Sequence, residues 1–156
     1  GFKKRMGFGD SASQMILFIA VVTISIALVF VFNNFIDESA ASVAARQDYL
    51  NSQIKTAIVI ESINYESGQI TAYVKNIGDT TFYPNKSTVY INSQRIPLNE
   101  NLSYTIESDT DTKNIGIYDP GEIMKIIVNK SLTGSETQTF LVVTPYNVRD
   151  SYEFST

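Results

Sequence analysis

Residues 11–36 read SASQMILFIAVVTISIALVFVFNNFI and contain no charged side chain. A transmembrane helix needs about 20 mainly apolar residues, so this stretch is long enough to cross a bilayer. The basic run KKR at residues 3–5 precedes it, and the acidic pair at residues 37–38 follows it. Because basic flanks stay on the cytoplasmic side, we expect residues 1–10 in the cytoplasm and a transmembrane helix over residues 11–36. The rest of the chain then lies outside the membrane.

The composition argues against catalysis and against several kinds of binding site. The 156 residues include no cysteine, histidine or tryptophan. The chain therefore has no disulfide, no thiolate, and neither the commonest general base nor the commonest metal ligand. We expect no enzymatic activity, no cofactor and no metal site. The net charge is −4 and the basic residues beyond position 5 are scattered, so we expect no nucleic-acid partner.

Three interpretations of the N-terminal segment remain open. The first is a retained single-span anchor, and the second is a cleaved secretory signal with small residues at positions 39–41. The third is a pilin-type class III signal that a prepilin peptidase cuts just before Phe8. The apolar core is longer than the 7–15 residues typical of a secretory signal, which favours the retained anchor.

The helix is predicted to continue beyond the membrane as a stalk over residues 37–57. This segment contains no proline or glycine and is rich in alanine, the strongest helix former. A helix from near Ser11 to near Ile54 would be about 65 Å long. Its heptad-spaced stripe packs either on the chain's own outer domain or on a partner helix, and the second alternative predicts a homo-oligomer. The helix assembly seam is assigned to Ile36, Val43, Leu50 and Ile54. In this pattern Ile36, Val43, Leu50 and Ala57 are spaced by seven residues, and Ala40, Gln47 and Ile54 fall between them at the other seam position.

From residue 58 onward the hydrophobic period changes from helical to two. Residues 58–60 and 70–74 alternate apolar with polar side chains, as half-buried strands do, and ESGQ at residues 66–69 predicts the hairpin turn between them. About seven short strands separated by turns predict an α+β chain, in which the long helix precedes an all-β, immunoglobulin-like β-sandwich over residues 58–156. A short barrel is the alternative. Further strands are expected at residues 87–91, 94–97, 102–106, 122–129, 137–144 and 148–154.

Polar side chains of the outer domain raise two further candidate sites. Asn85, Asn101 and Asn129 each begin an Asn-x-Ser motif, so they are candidate N-glycosylation sites if this domain faces outward. Carboxylates alternate at residues 107–111, a pattern that can gather around Ca²⁺. Lys and Asn stand at residues 113–114, where an EF-hand loop would want Asp or Asn and then Gly, so we favour a solvated acidic loop. The nine tyrosines are more typical of strand packing than of a binding surface.

Several short motifs resemble those of one family. Residues 6–20, MGFGDSASQMILFIA, are similar to the opening of the accessory archaellum proteins F and G. Residues 70–81, ITAYVKNIGDTT, are similar to their strand followed by Asn-x-Gly. VYIN at 89–92, YDPGE at 118–122 and TPYNV at 144–148 resemble their next hairpin, their Pro-Gly-Glu turn and their closing hairpin. The chain thus resembles the F/G family of archaellum accessory proteins, within the archaellin-like, type IV pilin-related superfamily.

The resemblance implies a function that the residues alone do not. Proteins of this kind anchor the archaellum motor as a stator by linking the cell membrane to the surface layer, which implies a non-enzymatic structural role in archaeal motility. The implied partners are the membrane, a surface-layer protein and the paralogous accessory protein. The implied location is the cell membrane, with one span and a cytoplasmic N-terminus. The alternatives are a filament subunit (archaellin or type IV adhesion pilin) that polymerises through its N-terminal helix, and an unrelated membrane-tethered binding module or ectoenzyme.

Overall fold

A long helix begins the computed structural model, which describes residues 6–134 and 136–156; the basic run at residues 3–5 lies outside the described residues. This helix, α1, covers Met6–Lys55 without a break. Its most apolar 18-residue window has a mean hydropathy of 3.0, and none of that window is buried inside the molecule. Within the described residues, α1 is the one helix that is long and apolar enough to cross a membrane. The predicted continuous helix is confirmed.

Two four-stranded antiparallel sheets follow the helix. One has the strand order β1-β2-β6-β5 and the other β4-β3-β7-β8. Because the two sheets are separate, the predicted sandwich is confirmed and the barrel alternative is wrong. The described residues contain eight strands rather than about seven. The strands are β1 (Ile58–Glu66), β2 (Gln69–Asn76), β3 (Thr88–Ile91), β4 (Gln94–Ile96), β5 (Leu102–Ile106), β6 (Ile123–Asn129), β7 (Thr137–Val143) and β8 (Arg149–Ser155).

The hydrophobic core lies between the sheets and follows the period of two along the strands. In β2 and β6 every second side chain is buried, because successive side chains of a strand point to opposite faces. Burial of each such aliphatic or aromatic side chain stabilises the fold by about 1.5–3 kcal/mol. The central positions without solvent exposure are Ile70, Ala72, Val74, Val89, Ile91, Met124, Ile126, Val128, Phe140 and Val142.

Two hairpins use two-residue turns with left-handed backbone at both positions. Ser67 and Gly68, between β1 and β2, have φ values of 52° and 80°. Asn92 and Ser93, between β3 and β4, have φ values of 49° and 66°. Such turns match the right-handed twist of the strands and favour glycine at the second position. Ser93 therefore occupies a position where glycine would be less strained.

The two sheets meet at one side of the sandwich through their edge strands β1 and β8. A β-bulge interrupts the register of β1 between Ile60 and Ser62. The backbone N–H of Ile60 donates a hydrogen bond of 2.8 Å to Oδ2 of Asp150 on β8. A bulge and a charged side chain directed at an edge both discourage the pairing of a foreign strand.

The chain divides into two compact units, and the division falls between Gln47 and Asp48, inside α1. We call residues 48–156 the head. The last turns of the helix, residues 48–55, therefore belong to the same compact unit as the sandwich.

Candidate functional site

The apolar part of α1 presents its side chains outward. Phe18, Leu28 and Phe30 are 64–69% exposed, and their neighbours are similarly exposed. Thr23 and Ser25 donate their hydroxyls to the carbonyls four residues earlier, at 2.8 Å in both cases. In hydrocarbon every polar group must find a partner within the protein, and these two hydroxyls do so. This surface suits a lipid environment and is consistent with a single membrane anchor.

The predicted assembly seam is exposed in both units. In the first unit, Ile36 and Val43 are 47% and 57% exposed. They border a shallow apolar groove with the small residues Ala40 and Ala44. In the head, Leu50 and Ile54 are 47% and 82% exposed. All four seam residues are therefore available for contact within the described parts of each unit.

A different face of the helix packs on the sandwich within the head. The ring of Tyr49 lies 6.3 Å from the ring of Tyr146, measured between centroids. Gln53 is half-buried and Thr56 is buried at the end of the helix. These positions are spaced by four and three residues, so they form one helical stripe. Leu50 lies beside this stripe and remains exposed, so the head uses another face of the helix than the seam.

The end of α1 is held by the segment that follows β2. The last carbonyls of a helix have no partner within it. Here the backbone N–H groups of Ile77 and Gly78 donate to the carbonyl of Ala57 at 2.9 and 3.0 Å, and that of Asp79 donates to the carbonyl of Lys55 at 2.8 Å. A Cβ on Gly78 would lie 2.4 Å from the amide nitrogen of Ala57 and 2.5 Å from the Lys55 oxygen. We call residues 55–57 and 77–80 the helix clamp.

A pair of hydroxyls, from the buried Thr56 and the half-buried Thr80, adds a side-chain contact to the helix clamp. Oγ1 of Thr56 donates to the carbonyl of Ser52 at 2.6 Å. The same oxygen lies 2.6 Å from Oγ1 of Thr80. Thr56 is only 4% exposed, and buried polar groups without partners cost about 1–3 kcal/mol each. Both hydrogen bonds give the buried Thr56 hydroxyl a partner, and the one with Thr80 joins the helix end to the sandwich.

Two motifs that are far apart in the sequence form one buried hydrogen-bonded network behind the helix clamp. The backbone N–H of Asn76 donates to the carbonyl of Glu122 at 3.0 Å, and that of Gly121 donates to the carbonyl of Asn76 at 2.8 Å. Nδ2 of Asn76 donates to the carbonyl of Thr80 at 2.8 Å. Oε2 of Glu122 accepts a hydrogen bond from the N–H of Asp119 at 2.8 Å. The Asn-x-Gly and Pro-Gly-Glu motifs thus support each other and the clamp.

Hydrogen bonds also stabilise the ionised carboxylate of the buried Asp119. Its Oδ1 accepts the hydroxyl of Thr81 at 2.6 Å, and its Oδ2 accepts two bonds from Asn114 at 2.9 and 3.1 Å. The bond from Thr81, helped by those from Asn114 and by the nearby charge of Lys113, lowers the pKa of the Asp119 carboxyl although burial opposes this. Asp119 is therefore a structural carboxylate with its acceptor sites occupied.

The acidic loop at residues 107–111 is held by hydrogen bonds to backbone N–H groups within and just after it. Asp111 Oδ2 accepts the N–H of Gly116 at 3.0 Å, and the carbonyl of Glu107 accepts N–H groups of the turn that follows it. Over residues 6–134 and 136–156, no group of three side chains of the metal-binding types is placed to hold an ion. Among the tyrosines, Tyr118 is fully buried and donates to the carbonyl of Val74 at 2.6 Å, and burial raises its pKa.

The three candidate glycosylation sites all lie on the head, in different surroundings. Asn85 is in a 3₁₀ turn, Pro84–Lys86. Asn101 and Asn129 border one groove beside β4 and β5, and the N–H of Asn129 donates to the carbonyl of Asn101 at 2.8 Å. All three asparagine side chains are exposed.

The helix clamp could not be predicted from the sequence. Residues 76–79 were expected only to end a strand and residues 118–122 only to form a turn, because no local signal connects segments that are about 40 residues apart. One signal was available: Gly78 comes two residues after the end of β2, in a motif that begins with Asn76, and a glycine near a strand end can indicate close approach of two backbones.

Comparisons with known proteins complete the description of the site. The archaellum periplasmic stator protein FlaG from Sulfolobus acidocaldarius is 30% identical, with 64% of this chain and 99% of that chain covered and a TM-score of 0.49. The archaellum periplasmic stator protein complex FlaF and FlaG from the same organism is 28% identical, with 62% and 87% covered and a TM-score of 0.47. Comparison with curated proteins gives no match. The family model for archaeal-type flagellin matches residues 7–154, from the first turn of α1 into β8, and with a match of that extent the chain belongs to the archaeal-type flagellin family.

Proposed function

We propose that this chain is a non-enzymatic stator component of the archaellum, which links the cell membrane to the surface layer. In this proposal residues 11–36 span the membrane, residues 1–10 stay in the cytoplasm, and the head lies outside the cell. The helix seam joins the chain to a second copy or to the paralogous accessory protein, and the sandwich contacts the surface layer.

The observation that carries this proposal is that, in the head, one face of α1 contacts the sandwich while a second face is exposed. On one face Thr56 is buried, Gln53 is half-buried, and the ring of Tyr49, although 44% exposed, contacts that of Tyr146. Leu50 and Ile54 lie outside that face and are exposed. Leucine and isoleucine at heptad positions favour association with another helix, since the burial of each contributes about 1.5–3 kcal/mol. The helix can therefore be held by its own head and bind a partner helix simultaneously.

The helix clamp supports a role in which force passes between membrane and head. Three backbone hydrogen bonds, a threonine pair and the close approach of Gly78 join the helix end to the sandwich. A flexible glycine- or serine-rich linker at this point would behave as a random coil and would transmit force poorly. The preference for a stator over a filament subunit rests on the quoted sequence motifs and on the 30% identity over 99% of the FlaG chain.

A seam variant with a matched control tests the assembly step. We expect Leu50→Asp and Val43→Asp in the full chain to weaken self-association in detergent or native membranes, because a buried carboxylate at a helix seam is unpaired. Ala45→Asp introduces the same charge on the exposed opposite face of the helix and should leave association unchanged. Chemical cross-linking yield measures the difference. If the three variants associate like the unchanged protein, the seam assignment is wrong.

The family match to flagellins keeps a filament subunit as the second candidate. Deletion of the gene in its archaeal host separates the two. Loss of a stator component should leave filaments on the cell but abolish swimming, whereas loss of a filament subunit should remove the filaments themselves. Intact mass of the purified protein gives a second readout, because cleavage before Phe8 indicates processing of the prepilin type and favours the filament subunit.

A further inference from the structure

We propose that the groove between β4 and the start of β5 binds an acidic sugar, one that carries a carboxylate or a sulfate. β4 and β5 are edge strands of opposite sheets, and they lie on the side of the sandwich away from β1 and β8. The groove is lined by residues 94–97, Asn99, Asn101 and residues 128–130, and we call it the β4–β5 groove. All of these residues belong to the head, so the site goes beyond the proposed function and does not depend on it.

The lining of the β4–β5 groove is positively charged. Arg95 and Lys130 both line it, and none of the lining residues is acidic, since Glu100 in the adjoining loop is not among them. Among the described residues, neither basic side chain forms an ion pair with a carboxylate. Burial raises the pKa of Tyr104 on β5 to about 12, and the positive charge of Arg95 opposes this shift, so the charge of Arg95 is felt at β5. A guanidinium and an ammonium without a carboxylate partner favour an anionic ligand, and the planar guanidinium can bind a carboxylate through two hydrogen bonds.

Amide side chains add hydrogen-bond donors that the protein itself leaves unused. Four of them line the groove: Gln94, Asn99, Asn101 and Asn129. The side-chain oxygens of the first, second and fourth already accept hydrogen bonds of 2.9–3.1 Å, from Lys130, the N–H of Asn101 and Gln69 respectively. No described residue accepts a hydrogen bond from any of the four NH₂ groups. Each NH₂ group carries two donors, so the groove suits a ligand that is rich in acceptor oxygens, as a sugar acid or sugar sulfate is.

The size and the apolar part of the groove favour a sugar over a bare anion. Its volume is about 260 Å³, whereas one water molecule takes about 30 Å³ and pockets for drug-sized ligands measure about 300–1,000 Å³. Ile96 and Val128, which are 8% and 0% exposed, line it together with Pro97. These side chains offer apolar contact to the C–H groups of a sugar ring, which an inorganic anion does not have.

A titration of the isotope-labelled full chain tests the proposal, in micelles of a detergent without a sugar headgroup. The probes are glucuronic acid, glucose 6-sulfate, neutral glucose and inorganic sulfate, and nuclear magnetic resonance of the backbone and side-chain N–H groups reports binding. We expect both acidic sugars to shift the NH₂ signals of the groove, with dissociation constants about tenfold below those of glucose and of sulfate.

Charge-removing variants locate the binding site. Arg95→Gln and Lys130→Gln should each raise the dissociation constant for glucuronic acid by about tenfold, whereas Lys130→Arg keeps the charge and should retain binding. Lys86→Gln is the matched control, because Lys86 is an exposed lysine of the head that does not line the groove. The same spectra show whether each variant is folded.

Three results would overturn the proposal. The first is an absence of shifts at the groove with either acidic sugar. The second is equal affinity for inorganic sulfate and glucose 6-sulfate, which would make the groove a site for anions in general. The third is a loss of binding in Lys86→Gln as large as in Lys130→Gln, which would indicate attraction by surface charge without a defined site. None of these results bears on the stator role, because that role depends on the helix seam and the membrane anchor.

Discussion

Replacement of Gly78 by alanine tests whether the helix clamp holds the end of α1. The new Cβ would lie 2.4 and 2.5 Å from two backbone atoms of residues 55–57. Carbon atoms normally approach such atoms to about 3.5 Å, so one backbone must move by about 1 Å. A movement of that size would break the three hydrogen bonds of 2.8–3.0 Å from residues 77–79. Gly78 is thus required for space and not for a left-handed backbone.

The structure sets the size of the effect. Each lost hydrogen bond removes about 0.5–1.5 kcal/mol, and overpacking typically adds about 1–3 kcal/mol, although the two overlap because the shift relieves the clash. We therefore expect Gly78→Ala to lower the free energy of unfolding by about 3 kcal/mol. With a urea dependence of about 2 kcal/mol per molar, the midpoint should fall by about 1.5 M.

Urea unfolding of the full chain in detergent micelles, followed by near-ultraviolet circular dichroism of the tyrosines, measures this shift. Gly121→Ala is the matched control. Gly121 has a φ of +86° and open space around the position of a Cβ, so alanine there should lower stability by only about 1–2 kcal/mol through backbone strain. If Gly78→Ala unfolds with the same midpoint as the unchanged protein, the close approach does not hold the clamp and the reasoning fails.

Two further changes probe the head. Ser93→Gly should raise the free energy of unfolding by about 0.5–1 kcal/mol, since Ser93 has a φ of 66° at a turn position that favours glycine; a lower urea midpoint would contradict this. Hydrogen bonds from Thr81 and Asn114 lower the pKa of Asp119, so the folded pKa lies below the unfolded value of about 3.9. The stability that Asp119 contributes is therefore complete above about pH 4 and is lost as the pH falls through the folded pKa. Asp119→Asn should reduce this acid-side loss in a series of urea titrations, and an unchanged pH dependence would argue against the hydrogen-bonded carboxylate.

Local patterns allowed most elements of the fold to be predicted from the sequence. The apolar run and the alanine-rich stalk, free of proline and glycine beyond Gly9, predicted one uninterrupted helix, and α1 covers Met6–Lys55. Alternation of apolar and polar residues located the strands, and β5 has the predicted bounds of residues 102–106. Helix propensity and the period of a half-buried strand act within a few residues, so they can be read without knowledge of the fold. The motif at Asn101 was found in the same way.

The pairing of distant segments required the tertiary structure. The network behind the helix clamp joins Asn76 to Gly121 and Glu122, because β2 pairs with β6 and no local propensity encodes that choice of neighbour. The same holds for the helix, where the sequence left open whether the seam packs on the head. The ring of Tyr49 contacts that of Tyr146, and Gln53 is half-buried whereas the next residue, Ile54, is 82% exposed. The sequence by itself determined which segments are helix and strand, since those preferences are local. Only the tertiary structure decided that the segment after β2 holds the end of α1 and that Asn76 joins Gly121 and Glu122, because both depend on contacts between residues far apart in the chain.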